Sequence, residues 1–308
     1  MLNEQAKGVY VIAVTPFTET GEIDEPSVDR VVDFYLENGV HGLTILGMMG
    51  EAPKLTFEES LALARRVLAR VAGRVPVVVG VSHPGLANLV RLARSSVDAG
   101  AAGVLVAPQA GLRVDDQVFG YYASVCEVLG EAVPVVVQDY PQSTGVYLSV
   151  PTFNRLVRDF PQIVMLKHED CPGLGKLTAV RDTAAREGLR RVSILVGNGG
   201  LYFPQELQRG VDGAMTGFAY PEMLVGVFER FAVGDREGAE DLFDTYLPLV
   251  RHEQQPGFGL AVRKEILRRR GAIACAALRS PGPRLMPADH QELDGLIGRL
   301  QRRLQQGH

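Results

Sequence analysis

A lysine closes one of the most apolar runs in the chain. Ile163-Val164-Met165-Leu166 leads directly into Lys167, with Glu169 and Asp170 just beyond. There are only five lysines (Lys7, Lys54, Lys167, Lys176 and Lys264) against 27 arginines, so a lysine at this position stands out. An ammonium is costly to bury unless it is paired or gives up its proton. An unprotonated amine condenses with a ketone, which a guanidinium cannot do. A structural ion pair with Glu169 or Asp170 fits the same position, and strand position alone leaves both readings open.

Other chemistry-bearing residues also sit where apolar runs end: Thr15, Gly47–Glu51, Ser82-His83, Pro108–Ala110, Gln138–Tyr140, Gly197–Gly200 and Thr216–Phe218. Gln138 has no usable proton equilibrium near neutral pH, but it can orient a hydroxyl or a water. The candidate proton carriers are Glu51, Asp139, His83 and Glu169, with the imidazole best matched to neutral pH. Ser143, Thr144 and backbone amides near Gly47–Gly50 suit a carboxylate. Structural roles compete at several positions. Glu51 could anchor its own loop, His83 could serve a loop hydrogen bond, and Met48 and Met49 could be pocket wall or packing. His168 is expected to face away from Lys167, and Cys171 to be inert. No HxH or HExxH spacing is present, and neighbouring residues on one strand do not converge on an ion, so no metal is expected.

These positions need a scaffold that gathers strand ends. Short β-rich runs alternate with helical stretches eight times. The strands read Val9–Phe17, Gly42–Gly47, Val75–Ser82, Gly103–Pro108, Val133–Pro141, Ile163–Glu169, Val192–Gly197 and Gly213–Ala219. The helices between and after them read Glu25–Asn38, one capped by Thr56 with Glu59 as a capping box, Leu86–Ala99, Asp116–Leu129, Pro151–Phe160, Leu174–Glu187, a short helix to Gly210, and Met223–Val233. VPVVVG and VPVVVQ are apolar at consecutive positions, the pattern of parallel strands buried on both faces. The repeat predicts an α/β fold, a (β/α)8 TIM barrel over residues 1–234, whose active site lies at the carboxyl ends of the strands. An open doubly wound sheet is the competing architecture; no glycine-rich dinucleotide fingerprint or P-loop follows the first strand, and no cofactor is expected. After Asp235 the strand signal stops. Glu237–Val250, Leu260–Arg270 and Asp289–Arg303 read as a C-terminal three-helix extension over 235–308, packed on the barrel or on a neighbouring subunit.

The chain has 308 residues, 46% hydrophobic and 22% charged, which excludes a disordered polymer and leaves room for a large core. A formal charge of −4 offers no general basic field for nucleic acid. Three scattered cysteines, Cys126, Cys171 and Cys275, make neither a disulfide framework nor a zinc site. No apolar run is long enough to span a membrane, and Met1–Tyr10 lacks a basic start followed by an apolar stretch. A cytoplasmic location is expected.

Lys167 on the sixth strand, Gly47-Met48-Met49-Gly50-Glu51 after the second, Pro141-Gln142-Ser143-Thr144-Gly145 after the fifth and the three trailing helices together resemble the dihydrodipicolinate synthase / N-acetylneuraminate lyase superfamily. The likeness covers essentially the whole chain. It implies a (β/α)8 barrel, a homotetramer built as a dimer of dimers, and a Schiff base between Lys167 and a small-molecule 2-oxo acid. The sequence departs from the synthases at four points. Gln138 stands where their catalytic tyrosine ends the fifth strand, Met48 and Met49 replace a hydroxyl pair, a relay tyrosine falls near Ala110, and a carboxylate-binding arginine falls at Ser143.

Gln138-Asp139, Ser82-His83, Pro172-Gly173 with Lys176-Leu177, Gly213-Ala214-Met215-Thr216-Gly217, and Leu247-Pro248-Leu249 with His252-Glu253 are similar to the 2-keto-3-deoxy sugar acid dehydratase branch, of the L-2-keto-3-deoxyarabonate dehydratase kind. The resemblance therefore implies Lys167, Gln138, Glu51 and His83 as catalytic residues. It implies Gly47, Met48, Met49, Gly50, Asp139, Ser143, Thr144 and Met215 as substrate-binding residues. Of the neighbours Gln138 and Asp139, it favours Gln138 as the one facing the barrel interior. The expected activity is lyase chemistry, a dehydration first. A pyruvate-dependent aldolase or synthase and a non-catalytic 2-oxo acid binder are the alternatives.

Overall fold

Valine-rich runs of β-branched residues become strands whose two faces are both covered. The computed structural model describes residues 1–306. Its strands are β1 (Gly8–Ile12), β2 (Gly42–Ile45), β3 (Val77–Gly80), β4 (Gly103–Val106), β5 (Val135–Asp139), β6 (Ile163–His168), β7 (Ser193–Val196) and β8 (Gly213–Thr216). All pair in parallel and in chain order, and β8 closes onto β1 through Tyr10↔Met215 and Val11↔Thr216. The expected TIM barrel is the observed fold, and the open sheet is excluded.

The helices are α1 (Glu25–Glu37), α2 (Phe57–Val71), α3 (Leu86–Asp98), α4 (Asp115–Leu129), α5 (Pro141–Thr144), α6 (Val150–Asp159), α7 (Leu174–Arg186), α8 (Phe203–Gln208), α9 (Pro221–Ala232), α10 (Arg236–Glu253), α11 (Gly259–Arg269) and α12 (Pro287–Gln305). The capping box before α2 forms in both directions: Thr56 Oγ1 accepts from Glu59 N at 3.1 Å, and Glu59 Oε2 accepts from Thr56 N at 2.9 Å. Asp235 caps α10 by accepting from Gly238 N at 3.0 Å. Helix α5, one turn after β5, was expected only as a turn. The strands are shorter than the apolar runs. Phe17, expected to end the first strand, instead bridges Ile23 in an isolated antiparallel pair. The run continues past Ile12 because the barrel mouth is apolar there, and periodicity cannot separate such a loop from a strand. No described helix is long and apolar enough to cross a membrane.

Two apolar layers divide the core. Tyr10, Ile12, Val78, Leu105, Val136, Val164, Met165, Leu195 and Met215 fill the barrel, while the alternate positions of the same strands pack against the helices. One irregularity decides what faces the mouth. Val135 pairs with Ile163 but Val136 pairs with Met165, so β6 carries an extra residue at Val164. Val164 and Met165 therefore both point inward, and the alternation beyond them is reset. Lys167 inherits the inward phase and lies opposite Gln138, while His168 lies opposite Asp139 on the outward phase.

Candidate active site

The bulge in β6 brings Lys167 and Gln138 to the carboxyl end of the barrel as neighbours. Lys167 is 4% exposed. Its Nζ lies 3.0 Å from Oε2 of Glu169, which sits two residues on and therefore on the same face. Gln138 Nε2 donates to that same oxygen at 2.7 Å. Three buried side chains, an amine, a carboxylate and an amide, thus meet at one point. Asp170, the other carboxylate considered as a partner of Lys167, pairs with Lys176 instead, at 3.1 Å.

Backbone contacts fix this arrangement. Glu169 N donates to Asp139 O at 2.8 Å, and Asn198 Nδ2 donates to Glu169 O at 3.0 Å. Gly197, at the end of β7, lies directly beneath the Glu169 side chain, and a Cβ there would overlap Cγ, Cδ and Oε1. Glycine is required at Gly197 for that close approach. The fully buried Tyr122 on α4 donates its hydroxyl to Val106 O at 3.1 Å and Gln138 O at 3.3 Å, tying the ends of β4 and β5 together.

Asp139 and His168 face the helix layer. Asp139 Oδ2 lies 2.7 Å from Lys176 Nζ on α7 and 3.1 Å from His168 Nδ1. Asp139 is therefore not among the groups the structure brings to Lys167; its carboxylate straps strand ends to α7.

Glu51 is also placed elsewhere. It is buried, with Oε1 2.6 Å from Lys264 Nζ and Oε2 accepting from Lys54 Nζ at 2.8 Å and from Arg279 N at 3.1 Å. Its φ of 53° is left-handed, a conformation costing on the order of 1 kcal/mol for a residue with a Cβ. Those three bonds hold it there, and the carboxylate anchors its loop to the C-terminal segment.

His83 is exposed. Its Nδ1 accepts from Gly85 N at 2.8 Å ahead of α3, and it lines a shallow surface hollow with Gln109, Leu112 and Tyr121. Met215 is wholly buried within the barrel filling and presents no surface to a ligand. Thr144 Oγ1 turns back to Tyr140 O at 3.0 Å. Ser143 Oγ donates to Met48 Sδ at 3.1 Å, joining the loops after β5 and β2, and Gly47, Met48, Met49 and Gly50 form a short turn there.

Among the described residues no group of three or more His, Cys, Asp or Glu side chains could hold a metal ion.

Glu169, one of the candidate proton carriers, does meet Lys167, and its spacing of two along the chain is the signal that points there. Arg263 has no such signal and falls outside the expected residues. It lies on α11 in Ala261-Val262-Arg263-Lys264-Glu265-Ile266, all buried, and three consecutive charges within a buried helical stretch mark a polar network. Arg263 Nε donates to Glu253 Oε2 at 2.8 Å, and its Nη1 donates to Met49 Sδ. Tyr140, between β5 and α5, has its hydroxyl pushed above the usual phenol range by burial and by Glu169, while Arg263 opposes the rise.

Residues 5–300 match the model of the dihydrodipicolinate synthetase family. The chain is 33% identical over 298 residues to an L-2-keto-3-deoxyarabonate dehydratase of Azospirillum brasilense, covering 96% of this chain and 94% of that one. Among solved structures, a dihydrodipicolinate synthase from Rhodopseudomonas palustris superposes with a TM-score of 0.94 at 47% identity, over 97% of this chain and 99% of that one. YagE of E. coli K12, a prophage protein of the same family crystallised with pyruvate, superposes with a TM-score of 0.87 at 25% identity, over 96% of this chain and 98% of the other.

Proposed function

We propose, from the premise that the chain belongs to the dihydrodipicolinate synthetase family, that it is a lyase forming a Schiff base between Lys167 and a 2-oxo acid, and that its reaction is the dehydration of a 2-keto-3-deoxy sugar acid. The observation that carries this reading is the shared oxygen: Glu169 Oε2 stands 3.0 Å from the Lys167 amine and 2.7 Å from the Gln138 amide. A carboxylate in that place does what the amide of Gln138 cannot, namely take and return protons beside the nitrogen.

In this mechanism Lys167 Nζ attacks C2 of the substrate, and water leaves to give a protonated imine. The imine draws electrons from C3. Glu169 removes a C3 proton, giving an enamine, and then returns that proton to the C4 hydroxyl as the C4–O bond breaks. The conjugated imine then loses a C5 proton and regains one at C3, which turns the C5 carbinol into an enol and hence an aldehyde, and hydrolysis of the imine frees Lys167 and the semialdehyde of a 2-oxo acid. Gln138 holds Glu169 in line throughout and keeps its own amide oxygen for a substrate hydroxyl. The dehydratase of Azospirillum brasilense, similar over nearly the whole chain, supports this substrate class.

Carbon–carbon bond formation or cleavage is the second reading. It shares the imine and is favoured by the 47% identity to a structure named as a synthase. Incubation with a panel of 2-keto-3-deoxy acids separates them, because dehydration yields a semialdehyde and aldol cleavage yields free pyruvate. Borohydride with pyruvate should attach the keto acid covalently to Lys167 in the wild type and not in Lys167→Arg. Turnover surviving in Lys167→Arg would overturn the mechanism, while ligand trapping without any turnover would leave a binding protein. We also propose four copies per assembly and a cytoplasmic location, as the family resemblance implies; light scattering of the purified protein tests the first and fractionation of the source cells the second.

A further inference from the structure

We infer that Arg263, delivered by α11 from the C-terminal helical segment, is the cation that receives the carboxylate of the 2-oxo acid. The inference rests on the Schiff-base reading of Lys167 and adds to it the residue that recognises the acid group.

Arg263 is 2% exposed, yet its guanidinium is under-used. Nε donates to Glu253 Oε2 at 2.8 Å, and the other oxygen of Glu253 accepts from Ala219 N at 3.1 Å. Of the remaining donors, Nη1 meets only the thioether of Met49 and Nη2 makes no hydrogen bond. A guanidinium carries five N–H donors and a thioether is a weak acceptor. Nη2 is not among the buried atoms left without a partner, so it keeps access to solvent, and a bound anion would give it an ionised acceptor in place of water.

The placement points at the barrel mouth. Met49 packs on the side chains that fill the barrel, so the guanidinium lies over the floor of the mouth. Gly217, just past β8, leaves it room: a Cβ there would come within 2.5 Å of Nη1 and 3.0 Å of Cζ. Tyr140 feels both Glu169 and Arg263, which puts the cation on the same side of the barrel as the proton-transferring carboxylate.

A second donor lies close by at the rim: the exposed Ser143 Oγ donates to the sulfur of Met48, the residue next to Met49. Two donors, one buried and one at the surface, therefore rest on the thioethers of consecutive residues. A carboxylate that displaced those sulfurs would give each donor an ionised oxygen, with the guanidinium offering two parallel N–H groups to it. Glu253 occupies only the Nε edge and fixes the orientation of the rest.

The test measures the concentration of pyruvate giving half-maximal borohydride trapping at Lys167, with pyruvamide as the uncharged comparator. Two variants are used because removing Arg263 alone strands Glu253: Arg263→Lys, and the neutral pair Arg263→Gln/Glu253→Gln. In the neutral pair the half-saturating pyruvate concentration should rise roughly ten- to a hundredfold, the loss of a charge-assisted contact. Pyruvamide should stay near its wild-type value, so the preference for the acid collapses, and Arg263→Lys should fall between. Half-saturation within twofold of wild type in both variants, or an equal rise for pyruvate and pyruvamide, would overturn the assignment. Failure of the wild type to trap any 2-oxo acid would instead strike the Lys167 reading.

Discussion

Gln138 and Lys167 are register partners across β5 and β6, and both reach one oxygen of Glu169, at 2.7 and 3.0 Å. On the proposed Schiff-base reading, an amide cannot exchange protons and an amine about to become an imine cannot act as the base at C3, so the proposal gives the proton traffic to the carboxylate between them. Glu169→Gln keeps the shape and one hydrogen bond while removing that capacity. It should lower kcat for dehydration by roughly a hundred- to ten-thousandfold, the usual range for one acid–base group. Pyruvate trapping at Lys167 should persist. A kcat within a few-fold of wild type would move the proton transfer to another residue.

In the proposed mechanism Gln138 acts on the substrate and through Glu169. Truncation in Gln138→Ala removes the donor that orients Oε2, and kcat should fall by about tenfold, as expected for loss of a hydrogen bond to a charged group. A kcat within twofold of wild type would show that Gln138 only packs. Imine trapping should again survive.

Glu51 is assigned to anchoring by its partners. Lys264 and Lys54 neutralise it, and Arg279 N donates to it, so the loop after β2 is tied to α11 and to the segment beyond. Lys264 is itself wholly buried, with its amine pushed below the usual lysine range by burial against the opposing pull of Glu51. Lys264→Met should therefore destabilise the fold by roughly 3 kcal/mol, the cost of stranding one member of a buried pair. Glu51→Gln should lower the unfolding midpoint and raise KM, with kcat of the folded enzyme within a few-fold of wild type. A kcat collapse in Glu51→Gln without loss of stability would restore Glu51 as a proton carrier.

Glu206 on α8 carries a pH dependence unrelated to the active site. It is buried, its Oε2 has no hydrogen-bond partner, and burial pushes its carboxyl up to about 8 from an ordinary value of 4.5. The folded chain thus holds this proton more tightly than the unfolded chain. The stabilisation is complete below pH 4.5 and is lost as pH rises through about 8. The linked change is on the order of a few kcal/mol. Denaturant unfolding of wild type and Glu206→Gln at several pH values checks it. The variant should gain on wild type as pH climbs toward 9, and parallel curves would refute the linkage.

The barrel was legible because its strands are apolar on consecutive residues and its helices carry local start signals; the capping box of Thr56-x-x-Glu59 forms where the pattern put it. Lys167 was legible for the same reason, as a cation at the end of a run with nowhere apolar to hide. The expected phase, with Gln138 inward and His168 turned away from Lys167, holds, but the bulge that sets it on β6 could not be read. Simple alternation starting from an inward Val164 would send Leu166 and His168 to the interior; the extra residue at that point sends Met165 and Lys167 there instead. A bulge leaves no mark in a stretch such as Ile163-Val164-Met165-Leu166, where every side chain is apolar. Glu51 and Asp139 read as reactive acids because the lysines that neutralise them lie far along the chain, Lys264 on α11 and Lys176 on α7 beyond the following strand. Arg263 escaped for a related reason: helical spacing shows that a face is buried but not which distant loop that face meets.

Gly197 offers a way to test the position of Glu169 without changing any group that reacts. The Glu169 side chain lies flat on this glycine, and a methyl group there would occupy the space of Cγ, Cδ and Oε1. Gly197 N, which donates to His168 O at 2.9 Å, stays in place because alanine keeps the amide. In Gly197→Ala the carboxylate must therefore swing away from Lys167 and Gln138 while the strand remains paired. A displacement of about 1 Å at a reacting group is worth roughly a hundredfold in rate, so kcat for dehydration should fall by that order with little change in the unfolding midpoint. Trapping of pyruvate should continue, because the amine itself has not moved. If Gly197→Ala turned over normally, the carboxylate would be performing no step that depends on where it sits, and the proton would have to travel by another route.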